Sequence, residues 1–430
     1  MNELEIEKKP TAMTANNHAI HKWFNFVAGY SPEYVEDVIQ EYRTRNKSVG
    51  VIYDPFSGTA TTNVVANSMG VKSIGVERNP FFFKIGRAKT NAQKILPLIE
   101  QIATMFEKII LIHGGKTERK DITSILSATW SESAYTFLGK LFELDDLYLL
   151  FLMREQVFSL KGDELDAGFI YLSKLLEYVT FAKTDGIYKA PTSKKHNLSI
   201  LNAISKTKED FLMGKDEILT IDNSAEMVFA SSVDYKLEQN TVDLVIFSPP
   251  YLNNFDFAEM TRMQLYFWKD ANSWGDISEK HRNHMIVNTT TALKTVRDMS
   301  VQDEFKNYIP NDVVKVVSPI VEELRGIKKE NTRKKDYYLI VYPYLYQMMK
   351  VMENSYEGLK KGGEIHIIVS DAAFYGIHID TQQYLALIME DIGFNNVRIM
   401  RMRDRGDRWK LDKRKSSGKQ LGEFEIVGEK

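Results

Sequence analysis

The stretch VGVIYDPFSGTATTNVVANSMGVKSIGVERNP, residues 49 to 80, constrains this chain more than any other. An apolar run ends at Asp54 and Pro55, small residues follow from Ser57 to Ala60, apolar residues then recur at helical spacing, and a second apolar run closes on Glu77. Strand, tight turn, helix and second strand form a parallel βαβ unit, the start of a doubly wound α/β domain. The small residues let the backbone turn sharply and a ligand approach the following helix N-terminus.

Composition narrows the setting. With 430 residues, 43% of them hydrophobic, the chain can bury a large core and hold more than one structural unit. Fifty-six Lys plus Arg against 58 Asp plus Glu create no global basic field, so any nucleic-acid site must be local. Cysteine is absent, which excludes disulfides, thiolate zinc sites and cysteine nucleophiles. His281 and His284 lie three apart without further ligands at suitable spacing, so no metal is expected. No stretch reaches the ~18 apolar residues of a membrane span, and the charged start is unlike a signal peptide. The expectation is a cytoplasmic protein with no membrane contact.

Residues 1–17 read as a polar, loosely ordered lead-in. Residues 18–94 carry the first part of the core, with Ser31 as N-cap and Pro32 opening a helix. Residues 95–220 show helical spacing with few strand signals, a helical insertion. Strand character returns in 221–269, at EMVFASSV and TVDLVIFS. Residues 270–335 read as a polar, basic loop region that ends in the charge run RGIKKENTRKKD. Residues 336–430 supply a helix rich in Tyr and Met, a Gly-Gly turn with a strand, and two closing strands.

Two corners carry chemistry. At the first, Glu77 closes its strand about 20 residues beyond the small-residue turn, where a carboxylate can accept both hydroxyls of a ribose. The turn is poor in glycine and lacks a Lys at the spacing of a triphosphate loop, which favours a nucleoside cofactor without a pyrophosphate. A tight turn with an incidental surface Glu is the plainer alternative. The second corner is VDLVIFSPPYLNNFDF, residues 242 to 257. Consecutive prolines fix the backbone and remove two donors, leaving outward carbonyls to be satisfied from elsewhere. Ser248 and the Pro249 carbonyl can each accept one hydrogen of an exocyclic amino group. Tyr251 offers a face for stacking a base, which must be flipped out of a duplex to arrive there.

These residues together resemble the amino-group DNA methyltransferases of the Ser-Pro-Pro-Tyr type, which move a methyl group from S-adenosylmethionine to cytosine N4 or adenine N6. The resemblance covers about residues 18–90 and 225–430 and extends to WFNFVAGYSPEYV, NFDFAEM, LKKGGEIHIIVSD, RMRDRGDRW and GEFEIVGEK. It implies a Rossmann-like methyltransferase sheet, with the helical insertion between the cofactor and catalytic motifs. It also implies that Asp54, Phe56, Ser57, Gly58 and Thr59 line the methionine end of S-adenosyl-L-methionine. Glu77 would hold the ribose, Asn79 and Pro80 flank the adenine, Ser232 or Asp234 face its amino group, and Tyr30 and Ser31 approach the carboxylate. Ser248, Pro249, Pro250 and Tyr251 would hold the target base. One departure stands out: Ala60 occupies a position where the family usually has glycine, and a positive φ there would be strained and put cofactor affinity in question.

Serine at the first tetrapeptide position is commoner among cytosine-N4 enzymes, which favours cytosine over adenine. The partner implied is double-stranded DNA, with a cognate restriction endonuclease or defence-system subunit as a further candidate. Residues 95–220 and 270–335 are both candidates for reading the target. Arg282 in the second region, and Arg403, Arg405, Arg408, Lys413 and Arg414 near the C-terminus, are candidates for meeting phosphates. Trp23, Phe24 and Phe26 fit either adenine stacking or core packing. An RNA methyltransferase and a catalytically silent nucleic-acid-binding subunit remain as alternatives.

Overall fold

The computed structural model describes residues 4–5, 18–24, 29–46, 48–185, 188–221, 224–253, 256–288, 302–332, 334–405 and 420–430. Among the described residues twelve strands run in chain order as β1 (Leu4–Glu5), β2 (Val51–Asp54), β3 (Lys72–Glu77), β4 (Ala182–Asp185), β5 (Tyr188–Lys194), β6 (Ala225–Phe229), β7 (Val242–Phe247), β8 (Leu359–Ser370), β9 (Ala372–Phe374), β10 (Ile377–Ile379), β11 (Asn395–Asp404) and β12 (Gly422–Glu429). Eight of them form the central sheet in the order β1-β11-β12-β8-β7-β2-β3-β6. All pairs are parallel except those of β12, which runs against both β11 and β8. The doubly wound α/β sheet expected from the sequence is therefore present.

The chain moves outward from β2 through β3 to β6 and then returns to the other side of β2 as β7. That reversal places a topological switch point between β2 and β7, where ligands bind beyond the carboxyl ends of the strands. β7 is apolar on both faces because helices cover both. Its one polar member, Asp243, accepts from the amides of Gly50 and Val51 at 2.9 Å each and pairs with Lys360. This single carboxylate ties the starts of β2, β7 and β8 together and fixes which strand ends emerge side by side.

The insertion is not a detached unit. One apolar cluster runs continuously from the helix Pro80–Thr90, through the helices Ile99–His113, Leu144–Phe158 and Gly162–Val179, to Leu265 and Ile277. Trp23 and Phe24 belong to this core; Trp23 stacks on Phe211 and donates its indole N–H to the Phe211 carbonyl, so core packing is their role. Phe26 lies outside the described residues.

Three expectations are corrected. Within the insertion, β4 and β5 form an antiparallel hairpin that the helical spacing around it concealed. Residues 270–335 are not simply loop: Asn311–Glu330 is a helix that buries Val313, Val317, Val321 and Leu324 at helical spacing beneath a charged outer face. In the lead-in, Leu4 and Glu5 pair in parallel with Met400 and Arg401 at the sheet edge. Among the described residues no helix is long and apolar enough to cross a membrane.

Candidate active site

The ends of β2 and β7 open on one cleft, whose empty volume with its mouth is about 1110 Å³. Its walls come from Phe56 to Thr59 after β2, Glu77 to Asn79 after β3, and Ser248 to Tyr251 after β7. Sequence-distant corners thus meet because their strands are neighbours in the sheet.

The first corner is built largely from backbone. Asp54, buried at the end of β2, accepts from the Phe56 amide and from the Tyr30 hydroxyl, each at 2.9 Å. The Ser57 amide donates to the Val76 carbonyl at 3.0 Å, tying the turn to β3. A Cβ on Gly75 would collide with the Ser57 hydroxyl and the Asn63 amide, so glycine is required where the turn crosses that strand. Both oxygens of Glu77 are engaged: one accepts from the Gly58 amide at 2.8 Å, the other from the Asn79 amide at 2.6 Å. Asn79 in turn caps the helix Pro80–Thr90 by accepting from the Phe81 and Phe82 amides. Burial pushes the Glu77 carboxyl up to about 7, against the lowering effect of these backbone donors, and pushes Asp54 up to about 6.

Ala60 has φ 66°, ψ 39° and begins the helix Thr61–Ser68, so the position does require the left-handed conformation. A non-glycine residue there costs roughly 1–2 kcal/mol. Its methyl is fully buried, which offsets part of that strain at about 0.8 kcal/mol per buried carbon.

The second corner depends on side chains. Ser248 donates to the Tyr251 hydroxyl at 3.3 Å, and the Tyr251 hydroxyl donates to Glu423 on β12 at 2.8 Å. Burial first, and then Glu423, raise the Tyr251 phenol well above its ordinary pKa. Asp256, Phe257, Arg282 and His284 to Ile286 complete the lining. Asp256 caps the short helix Phe257–Met260 and accepts from Arg282 Nε at 2.6 Å.

Of the anticipated cofactor residues, Tyr30, Phe56, Ser57, Gly58, Thr59, Glu77, Asn79 and Ser232 line the cleft. Ser232 donates to the Pro55 carbonyl, and Ser231 lines the cleft beside it. Asp54 and Ser31 stand behind the wall: Asp54 shapes the turn, and Ser31 accepts from the Tyr34 amide as the helix cap. Pro80 is buried at the first position of its helix, and Asp234 is exposed on the adjoining turn, outside the lining. Ser248, Pro249, Pro250 and Tyr251 all line the cleft.

The arginines expected on phosphates behave differently. Arg282 is only 4% exposed, pairs with Asp256 and lies over the Trp274 ring; it is a wall of the cleft and not a surface cation. Arg403 pairs with Glu423 at 2.6 Å, and Arg405 lies over the Tyr251 ring while donating to Ser370. Arg408, Lys413 and Arg414 lie outside the described residues. Sequence reasoning missed Glu423 and, in the cleft lining, Met285, Ile286 and Asn288. Glu423 is one of three glutamates in the closing strand GEFEIVGE, and nothing local distinguishes it; Met285, Ile286 and Asn288 carried no signal either.

The lining suits S-adenosylmethionine. A half-buried carboxylate already holding two backbone donors retains lone pairs for two ribose hydroxyls, while Val76 and Phe82 give an apolar slot beside Asn79 for a flat ring.

Comparison with known proteins points the same way. The N6/N4 family model described as DNA methylase matches residues 5–88, which include the first corner. The chain is 23% identical to Type II methyltransferase M.BsoBI of Geobacillus stearothermophilus, over 97% of this chain and 86% of that protein. It is 21% identical to Type II methyltransferase M.AvaI of Anabaena variabilis, over 92% and 83%. A shorter match, 30% identical over 96 residues, is to Type II methyltransferase M.MjaII of Methanocaldococcus jannaschii and covers 22% of this chain and 17% of that protein.

Proposed function

We propose, from the premise that this chain belongs to the amino-group DNA methyltransferase family, that it methylates cytosine N4 of a base flipped out of duplex DNA. The observation that carries the reading is the shared cleft, with the Glu77 corner and the Ser248–Tyr251 corner on one set of parallel strands. S-adenosylmethionine, when bound, supplies an electrophilic sulfonium methyl group. The protein's part is binding and alignment: Glu77 accepts the ribose hydroxyls, and the cleft keeps the methyl group beside the second corner. Ser248 Oγ and the Pro249 carbonyl accept the two amino hydrogens, which turns the nitrogen lone pair toward the methyl group. Tyr251 holds the base by its ring face. Attack then needs alignment at ~3–3.5 Å and no covalent base adduct. Serine at the first position of the tetrapeptide, Ser248, favours cytosine by resemblance, with adenine N6 using the same geometry.

The hairpin β4–β5 supports the insertion, residues 95–220, as the region that reads the target. The Tyr188 hydroxyl on β5 accepts from the Asp256 amide at 2.9 Å, so this hairpin stands against the cleft wall. The Type II names of the relatives support a site-specific enzyme acting beside a cognate restriction endonuclease. The test is transfer of a radiolabelled methyl group from S-adenosylmethionine to DNA and to RNA of the same sequence. Label in DNA, lost in Ser248→Ala, is expected; label confined to RNA would move the chain to a different substrate class.

A further inference from the structure

Within this transferase reading, we propose that Glu423 is a positioning residue that acts through Tyr251 to set the direction of the Ser248 hydroxyl. Glu423 sits at the start of β12, opposite Ser370 of β8, and is buried. It is absent from the cleft lining, so it acts on the target base only through its neighbours. One carboxylate oxygen accepts from Arg403 Nε at 2.6 Å and the other from the Tyr251 hydroxyl at 2.8 Å.

An ionised carboxylate only accepts. The phenol proton must therefore point at Glu423, which leaves the Tyr251 oxygen as the acceptor on its Ser248 side. Ser248 then donates to Tyr251 at 3.3 Å, turning its proton away from the position of the base. Its lone pairs are left facing the cleft, as an acceptor for an amino hydrogen requires. Were the chain of hydrogen bonds to run in reverse, Ser248 would present its proton to the amino group and oppose binding in the reactive orientation. Arg405 acts on the ring instead of the hydroxyl. Its guanidinium lies 5.3 Å from the Tyr251 ring centroid and donates to Ser370 Oγ at 3.1 Å, fixing the ring in place.

Glu423→Gln preserves shape but can offer an amide N–H to the phenol and reverse the hydrogen bonds. Tyr251→Phe keeps the ring and interrupts them. Steady-state methyl transfer to DNA, calorimetric titration of S-adenosylmethionine and thermal melting on the full chain test the idea with both single variants and the double variant. Each single change is expected to lower kcat roughly tenfold with cofactor Kd unchanged, a size typical of one hydrogen bond to a charged group. The double variant is expected to be no worse than either single one, because both interrupt the same relay. Losses that multiply, or a kcat unaltered by Glu423→Gln, would overturn the relay. Should Glu423→Gln fail to fold, Tyr251→Phe decides alone: a tenfold loss with the ring retained supports the relay, and full activity overturns it. A wild-type chain that transfers no methyl group to DNA would remove the transferase reading itself, whereas an active wild type with multiplying losses removes only the relay.

Discussion

The two corners of the cleft are made in opposite ways. At the Asp54–Glu77 corner, backbone amides of Gly58 and Asn79 hold the key carboxylate, and the hydrogen bonds to Asp54 and Glu77 span fewer than 30 residues, with Ser232 on the Pro55 carbonyl as a long-range addition. At the Ser248–Tyr251 corner, the Tyr251 hydroxyl is held by Glu423, itself held by Arg403, from strands more than 150 residues away. The first corner is a local fold of the chain that carries its own hydrogen bonds. The second exists only once the sheet is complete, so its chemistry depends on side chains that substitution can remove without disturbing the turn.

The sharpest break in the comparison is Ser248→Ala. Transfer should fall by roughly 100-fold or more, the usual effect of losing one aligned hydrogen-bonding group at a reacting centre. Cofactor affinity, measured by calorimetry, should remain unchanged; a parallel loss of affinity would mean that the two corners are one unit.

Glu77→Ala probes the other side. It removes the proposed ribose acceptor and leaves the Gly58 and Asn79 amides without their partner, so cofactor Kd should rise about 10- to 100-fold. Transfer at saturating cofactor should survive, which a kcat and KM separation would reveal.

The pH dependence of cofactor binding follows from the same residue. The folded Glu77 carboxyl is raised from its ordinary 4.5 to about 7, so its contribution to ligand-free stability declines as pH rises through that interval. In the proposed site the ionised form would be the better acceptor for ribose hydroxyls. At pH 6 about one molecule in eleven carries it, so affinity should be about tenfold weaker at pH 6 than at pH 8. A flat calorimetric profile over that range would place the ribose elsewhere.

The smallest effect is expected at Ala60. Glycine relieves about 1–2 kcal/mol of left-handed strain but removes a buried methyl worth about 0.8 kcal/mol and loosens the unfolded chain by about 0.4–1 kcal/mol. Ala60→Gly should leave stability within about 1 kcal/mol of the parent in a denaturant titration. A clear gain would show that the strain dominates and that alanine is retained at a cost.

What the sequence disclosed follows the same division. Asp54, Ser57, Gly58 and Glu77 were legible because they lie in one short βαβ stretch, whose turn and strand signals are local. Ser248 to Tyr251 were legible because two prolines at the end of an apolar strand are rare and demand an external partner. Arg282 was legible as a site residue but not as a buried wall, since nothing in RNHMI announces burial and its place is set by Asp256 and Trp274. Glu423 was hidden for the same reason: its meaning depends on β12 lying beside β8. The hairpin β4–β5 was overlooked although Asp185-Gly186 is a turn signal, because helical spacing on both sides dominated the reading. The helix Asn311–Glu330 was overlooked because its charges outnumbered its four buried apolar positions.

The most direct measurement is nucleoside mass spectrometry of DNA from a methylation-deficient host expressing the chain, with Ser248→Ala in parallel. N4-methylcytosine is expected in the wild-type sample and a strongly reduced amount in the variant. DNA with no methylated amino base, from cells that hold the folded protein, would contradict the assignment of Ser248 to Tyr251 as the corner that presents an amino nitrogen to the methyl group.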